Sequence, residues 1–453
     1  MSSWKQVRFS EICDITRGGS PRPIQEYMTN DGVPWIKISD ATASNSRFIE
    51  KTKEFIKTSG ISKSREVFPD DLILSNSATP GIPKFMRIYA CIHDGWLLLR
   101  NFNGAEKEFI YWLLLNERDK LIQQGNGSVF TNLKTDILKN HIVNIPDDIE
   151  EQKRIATILN NIQEKIELNT QINQTLEQIA QTIFKSWFID FDPVHAKANA
   201  LASGQTLEQA TQAAMAVISG KNTQELHRLQ TANPKQYQQL WEIAEAFPSG
   251  VDEEGVPWGW EEKPLPELID FLEGPGIRNW QYTEEEDGIK FINIRCIKNG
   301  DLSLETANKI TREEAFGKYA HFQLKEDDIV ISTSGTLGRF ALVRNEHLPL
   351  CLNTSVIRFR PIENKSTLAF LLGLASNQLQ YELEARASGS VQRNFGPTHL
   401  KQISVLLPDF YLLSLHNKYI STLFELRKSN LRENDLLMKT RDVLLPKLLS
   451  GEV

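Results

Sequence analysis

The chain has 453 residues, with 51 Lys+Arg against 58 Asp+Glu, a formal net charge of −7 and 40% hydrophobic residues. That is enough for two or three domains of ordinary globular composition, and no run of about 18 apolar residues exists to form a membrane span. The four cysteines (Cys13, Cys91, Cys296, Cys351) are scattered without a CxxC pair, which excludes a disulfide framework or zinc ribbon, and the first ten residues lack an apolar leader, so a cytoplasmic chain is expected.

Along the chain, short β-branched and aromatic runs at 35–38 and 72–74, bounded by Gly, Pro and Asp, predict strands. Residues 108–124 carry the apolar spacing of a helix. From Glu150 a long helix is expected, because Ile155, Leu159, Ile162, Ile166, Leu176, Ala180, Ile183 and Trp187 fall largely at steps of three and four. Residues 196–250 are Ala- and Gln-rich with helical spacing and end at Pro-Ser-Gly before Asp252-Glu253-Glu254. They read as a connector with solvated helical faces. Strands follow at 291–294, 329–331 and 355–359, then a helix at 367–385. A second long helix from Tyr411 includes Leu413, Ile420, Leu423, Leu437 and Leu444.

The same plan is written twice. Gly18 answers Gly274, and Gly32 through Ile38 answers Gly288 through Ile294 at an offset of 256. Phe68 through Gly81 faces Leu324 through Gly338, and Cys91 and Arg100 face Cys351 and Arg360. Gly127-Ser128-Val129 faces Gly389-Ser390-Val391. Several matches in one order mark a tandem duplication. The long helices coincide at an offset of 261, which pairs Ile162 with Leu423, Asn169 with Asn430, Asn173 with Asn434, and Ile183 with Leu444. Each therefore carries two Asn within an apolar seam, a device that costs stability but fixes register. A helix of about 40 residues is roughly 60 Å long, too long to hide its stripe in one small half. The simplest burial is of one helix against the other.

Divided by region, the acidity is local. Residues 1–145 hold 19 basic and 16 acidic side chains, 146–262 hold 8 and 18, 263–409 hold 17 and 19, and 410–453 hold 7 and 5. The middle section takes the negative charge, and the two duplicated halves are close to neutral.

Enzymatic signatures are missing. Gly335 to Gly338 lacks the Lys of a phosphate loop, no GxSxG elbow occurs, and the eight histidines never reach metal-ligand spacing. Asp70-Asp71 and Asp327-Asp328 are the carboxylate pair present in both halves. Adjacent strand residues point to opposite faces, so a turn role is favoured over a shared cation.

The segment Phe184 through Val194 and the terminal Leu444 through Glu452 resemble signatures of specificity subunits of type I restriction-modification systems. Trp4-Lys5, Gly259-Trp260-Glu261, Pro69 through Ser75, Glu326 through Ser332 and Glu151 through Ile155 fit the same resemblance, which spans essentially the whole chain. It implies an α+β fold: two tandem-duplicated α/β target recognition domains joined by two long helices in an antiparallel coiled coil, with pseudo-two-fold symmetry. The corresponding boundaries are 1–145, 146–190 (first helix), 191–258 (acidic connector), 259–409 and 410–453 (second helix). It further implies a subunit without activity of its own. Each domain would read one half of a bipartite double-stranded DNA site, while the whole seats two adenine-N6 methyltransferase subunits and, through them, restriction subunits. S-adenosylmethionine, ATP and Mg would belong to those partners, with no cofactor, catalytic residue or metal on this chain and no membrane contact. One departure is the start of the second helix, Leu413 through Lys418, which lacks the Glu-Gln-Lys-Arg pattern and so points to different partner contacts there.

Base reading needs Arg, Lys, Asn, Gln, Ser and Thr on loops that enter a groove. In the first copy we expect Arg17, Arg22, Lys37, Ser39, Ser75, Asn76, Ser77, Thr79, Lys84, Ser128 and Asn132 to face DNA. In the second we expect Arg278, Asn279, Asn293, Arg295, Ser332, Ser334, Thr336, Gln392, Arg393 and Asn394. Two other classes remain open on the residues alone: a duplicated protein-binding adaptor, which the acidic total favours, and a metal-dependent nuclease using Asp70 or Asp327. A steep salt dependence of binding marks phosphate contacts and separates the first from a DNA reader.

Overall fold

The computed structural model describes residues 3–42, 46–124, 132–386 and 395–452. Among them no helix is long and apolar enough to cross a membrane, and no group of three or more His, Cys, Asp or Glu is placed to hold a metal ion. The chain divides into two units, residues 1–171 with 431–453, and residues 172–430.

In the first unit, Trp4–Arg8 pairs antiparallel with Ile142–Pro146. A five-stranded sheet has the order Asp14–Arg17, Trp96–Arg100, Leu72–Ser75, Pro83–Met86, Phe48–Ile49. Its centre, Leu72–Ser75, is buried along its whole length, as a strand covered on both faces must be. A second sheet has the order Met28–Thr29, Phe55–Ile56, Val33–Ile36, Ala90–Ile92, Arg65–Val67.

The second unit repeats this plan. Glu261–Pro264 pairs with Ser404–Leu407. A four-stranded sheet orders Ile269–Glu273, Val356–Pro361, Ile329–Ser332, Phe340–Leu342. A three-stranded sheet orders Lys309–Ile310, Ile289–Ile292, Leu350–Leu352. One parallel pair in each unit preserves the register of the duplication: Cys91 lies opposite Trp35, and Cys351 opposite Phe291.

Local side chains trim the expected elements. The strand expected at 35–38 stops at Ile36, because Asp40 accepts from the Lys37 backbone N–H at 2.7 Å and opens the short helix Ile38–Thr42. Its counterpart stops at Ile292, where the Asn293 carboxamide caps the Arg295 N–H at 2.9 Å. The helices expected at 108–124 and 367–385 are each two: Lys107–Asn116 with Arg118–Gln124, and Leu368–Asn377 with Leu379–Arg386. Gln378 interrupts the second pair at φ −121°. At the first break, the buried Glu117 carboxylate binds His141 at 3.0 Å and Lys120 at 2.8 Å.

The long helices are Ile149–Phe188 and Phe410–Ser450. Within the first unit their segments run antiparallel: Arg441 donates to the Gln163 carboxamide at 2.7 Å, and Asn169 to Asn434 at 3.0 Å. Within the second, Asn430 donates to Asn173 at 3.0 Å, and Arg427 lies 3.9 Å from Glu177. The apolar stripes are shared more widely than helix against helix. Ile155, Leu159, Leu448 and Leu449 enter the first unit's core with Phe109 and Trp112, while Phe184, Trp187 and Phe188 join Leu412, Leu413 and Phe370 in the second. Each unit closes over one helix end. Trp4 lies against Gly451, where an added Cβ would meet its ring at 2.8 Å, and Trp260 packs on Phe188 and Phe191 at 6.0 and 5.4 Å between centroids.

The connector is helical, as its spacing predicts, and it also buries an apolar face in the second unit. It folds as four helices, Asp192–Ala202, Leu207–Ser219, Thr223–Ala232 and Pro234–Ala246. Thr206, Asn222 and Asn233 cap three of them through side-chain oxygens. Val194, Ala214, Met215, Leu226, Leu240, Ile243 and Phe247 pack into the second unit's core. Buried Lys197 donates to the carbonyls of Ala244, Glu245 and Phe247. The acidic side chains are what the solvent sees.

Candidate nucleic-acid interface

The duplicated Asp pairs are turn devices. Asp70 and Asp327 take positive φ (77° and 67°). Asp71 caps the Phe68 N–H and grips Arg100, while Asp328 caps the Lys325 N–H at 2.7 Å and grips Arg360. Every carboxylate of the four is engaged, since Lys107 pairs with Asp70 and Lys428 with Asp327.

The turns that follow are closed from inside. The Ser75 hydroxyl donates to the Thr79 carbonyl at 2.6 Å and accepts from the Ile82 N–H at 2.8 Å. Ser332 makes the same two bonds, to Thr336 and from Arg339, at 2.6 and 2.9 Å. Both serines are fully buried. They are scaffold, which corrects the expectation that they face DNA. Asn76 is also buried, donating to the Asp94 carbonyl at 3.2 Å, and Ser334 is buried beside the second turn. Lys84 is the fifth of these corrections. Its ammonium is buried against the Ser46 carbonyl, and burial lowers its pKa to about 8.

What remains outside gathers around Asp94 in the first unit. Its carbonyl accepts from Arg17 Nε at 2.9 Å, its carboxylate accepts from the Ser20 hydroxyl at 2.7 Å, and Arg22 lies 3.6 Å away with its own side chain 82% exposed. The Ser20 hydrogen bond holds the Asp94 carboxyl below the usual carboxylate range, and burial lowers the pKa of neighbouring His93. An open cleft of about 390 Å³ is lined by Ser20, Trp35, Lys37, Ser39, Ser77, His93 and Asp94. Lys37 pairs with Glu54 at 2.5 Å and lies 5.8 Å from the Trp35 ring centre. Thr79 is half-buried and Asn132 exposed. Asn132 stands beside Leu133, whose N–H bonds the Asn76 carbonyl at 2.8 Å.

Gly18 and Gly274 explain why this corner needs glycine in both copies. A Cβ there would stand 2.0 Å from the His93 carbonyl oxygen and 2.1 Å from that of Asn353. In the second unit Asn353 and Thr354 take the places of His93 and Asp94. The Asn353 carboxamide accepts from the Ile277 N–H at 3.1 Å, and Phe395 N–H bonds the Thr333 carbonyl as Leu133 does Asn76. Arg278, Asn279, Arg295 and Thr336 are exposed, and Asn293 is half-buried as a cap. Ser128, Gln392, Arg393 and Asn394 lie outside the described residues.

Sequence reasoning missed Ser20, Trp35, His93 and Asp94. The signal was available in the Cys91/Cys351 match, which two residues on sets His93-Asp94 against Asn353-Thr354.

A profile of the type I restriction modification DNA specificity domain matches residues 1–178 and again 257–426. The chain belongs to this family. As the DNA specificity component of type I systems, members are not the catalytic subunits. The chain is 32% identical to the HindI specificity subunit of Haemophilus influenzae, over 100% of both chains. It is 23% identical to the MjaIX specificity subunit of Methanocaldococcus jannaschii, covering 99% of this chain and 93% of the relative. The crystal structure of a type I S subunit from M. genitalium shares the fold, with a TM-score of 0.52 at 15% identity and coverage of 99% and 96%.

Proposed function

We propose that each unit of this specificity subunit reads one half of a bipartite duplex site. The observation that carries this reading is a repeated scaffold with unlike exposed chemistry. The Ser75/Ser332 turns and Gly18/Gly274 contacts coincide, whereas Lys37, Ser39 and Asp94 are replaced by Asn293, Arg295 and Thr354. Different donors and acceptors on one frame select different base edges, so the two half-sites differ. Residues 1–145 and 259–409 act as the readers.

The near-neutral charge of the readers supports an obligate complex. Arg22 is partly compensated by the Asp94 carboxylate, while Arg17 is tied to the Asp94 carbonyl, which lowers the attraction of this corner for phosphate. Two adenine-N6 methyltransferase subunits supply the remaining basic surface, S-adenosylmethionine and the chemistry, and restriction subunits with ATP and Mg join through them. The test is DNA binding by the chain alone and with its methyltransferase. A steep fall in affinity with salt, selective for the site whose adenines the complex methylates, is expected only for the complex. Sequence-independent methylation by that complex overturns the reading.

A further inference from the structure

Trp280 is 80% exposed, yet it is not on a loose loop. It occupies the short turn Asn279–Gln281, and the residues on both sides are anchored. Ile277 is buried, with its N–H bound to the Asn353 carboxamide at 3.1 Å. Gln281 is buried too, donating to Glu314 at 3.0 Å and to the Tyr319 hydroxyl at 2.8 Å, while accepting from the Arg278 N–H at 3.0 Å. Tyr282 packs on Phe291 with centroids 5.2 Å apart. The fold therefore presents an indole to solvent on a fixed mount, against the ordinary preference for burying most of so large a side chain.

The position belongs to the candidate interface. The Thr354 N–H bonds the Pro275 carbonyl at 2.9 Å, so this loop leans on the segment that replaces His93-Asp94. The first unit has the same turn at Ile24–Glu26, again followed by a tyrosine, and there Gln25 stands where the second has Trp280. Its loop holds Arg22 beside Asp94.

We propose that Trp280 is an apolar base contact of the second reader, its indole packing on base pairs of one half-site of duplex DNA. This rests on the reading of the two units as DNA readers. Adjacent exposed Arg278 makes no ion pair among the described residues and is free for phosphate or guanine. The carboxylates of Glu284 to Asp287 follow later in the loop, with Lys309 among them through the Glu285 and Glu286 carbonyls. They disfavour a track along the phosphates and confine the approach to the groove at Trp280 and Arg278. A flat apolar side chain offers contact with thymine methyls or a wedge at a base step.

The test uses the chain in complex with its methyltransferase subunits and a duplex carrying its own site, known from its methylated adenines. Trp280→Ala is expected to weaken binding about tenfold, in the range of a lost aromatic–base contact, and Trp280→Phe to recover most of it. The penalty should vanish when one particular half-site is scrambled and persist when the other is. Binding by Trp280→Ala within twofold of the unsubstituted complex, or a penalty indifferent to both halves, overturns the proposal while leaving the DNA-reader assignment standing. Loss of the methyltransferase subunits by Trp280→Ala without DNA also overturns it, making the indole a protein contact. If the unsubstituted complex fails to distinguish its site from a scrambled duplex, both readings fall together.

Discussion

The carboxamide of Asn169 donates to that of Asn434 at 3.0 Å, both side chains buried in the helix pair of the first unit. Asn173 and Asn430 repeat the contact at 3.0 Å in the second. The duplication equates Asn169 with Asn430 and Asn173 with Asn434, so each pair joins one member of each kind. Polar pairs in an apolar seam trade stability for a defined register.

Replacing both Asn169 and Asn434 with Leu is therefore expected to raise the melting temperature by a few degrees while permitting other pairings. Light scattering should reveal self-associated species absent from the unsubstituted chain. A more stable protein of unchanged size would show that register is set elsewhere.

Ser75→Ala and Ser332→Ala should each destabilise by about 1–3 kcal/mol, because a buried N–H and a carbonyl lose their partner. Urea unfolding measures this directly. The complexes that still fold should keep the same recognised sequence; altered base preference would return the hydroxyls to the reading surface.

Gly18→Ala and Gly274→Ala should be more severe, since each added methyl would stand about 2 Å from a carbonyl oxygen, that of His93 or Asn353, just past the end of the neighbouring strand. The expected loss exceeds about 3 kcal/mol or leaves the chain insoluble, comparable to severe core overpacking. Normal unfolding midpoints would mean that these strands can separate without penalty.

His416 is wholly buried among Phe184, Trp187 and Phe188, and burial lowers its pKa to about 3. An unfolded imidazole takes up its proton near pH 6.5, so between about 6.5 and 3 the unfolded chain binds the extra proton. Stability from this site is complete above that window and falls with acidification, by up to about 1.4 kcal/mol per pH unit. Comparing unfolding midpoints at pH 7 and pH 5 should show a smaller acid loss in His416→Leu. Equal losses would assign the acid sensitivity to other groups.

Arg295→Ala should impair recognition of one half-site by about 1–3 kcal/mol, the range of a base-edge contact. Competition with half-scrambled duplexes reads this out, and equal losses on both halves would make Arg295 a general phosphate contact.

The parts of the molecule that repeat were legible in the chain because repetition exposes spacing. The Asn seam, the Asp turns and the glycine at the sheet corner all announced themselves by offset. Direction was not legible. A Ser at a strand end reads the same whether its hydroxyl closes the turn or leaves it, and only the packing of Leu72–Ser75 on both faces decides that Ser75 points inward. Lys84 was misread for the same reason, its ammonium finding a carbonyl inside. The connector's apolar positions are diluted by Ala and Gln, so their joint burial with Trp187 and Phe247 depends on partners far along the chain. Asp94 escaped notice because its role is to hold Arg17, Ser20 and Asn76, a convergence that spacing does not encode.

The Ser75 and Ser332 turns carry one further consequence. In each turn the serine's closing bonds use one hydroxyl, one N–H group and one carbonyl, and none of the side chains at the tip. The side chains of Ser77 and Thr336 can therefore be rewritten with little thermodynamic penalty, whereas Ala78 and Gly335 are constrained by their positive φ of 57° and 66°. If these loops read DNA as proposed above, stability and target choice are stored on separate atoms of the same loop, and a lineage could change which DNA it marks as its own without having to solve the folding problem again.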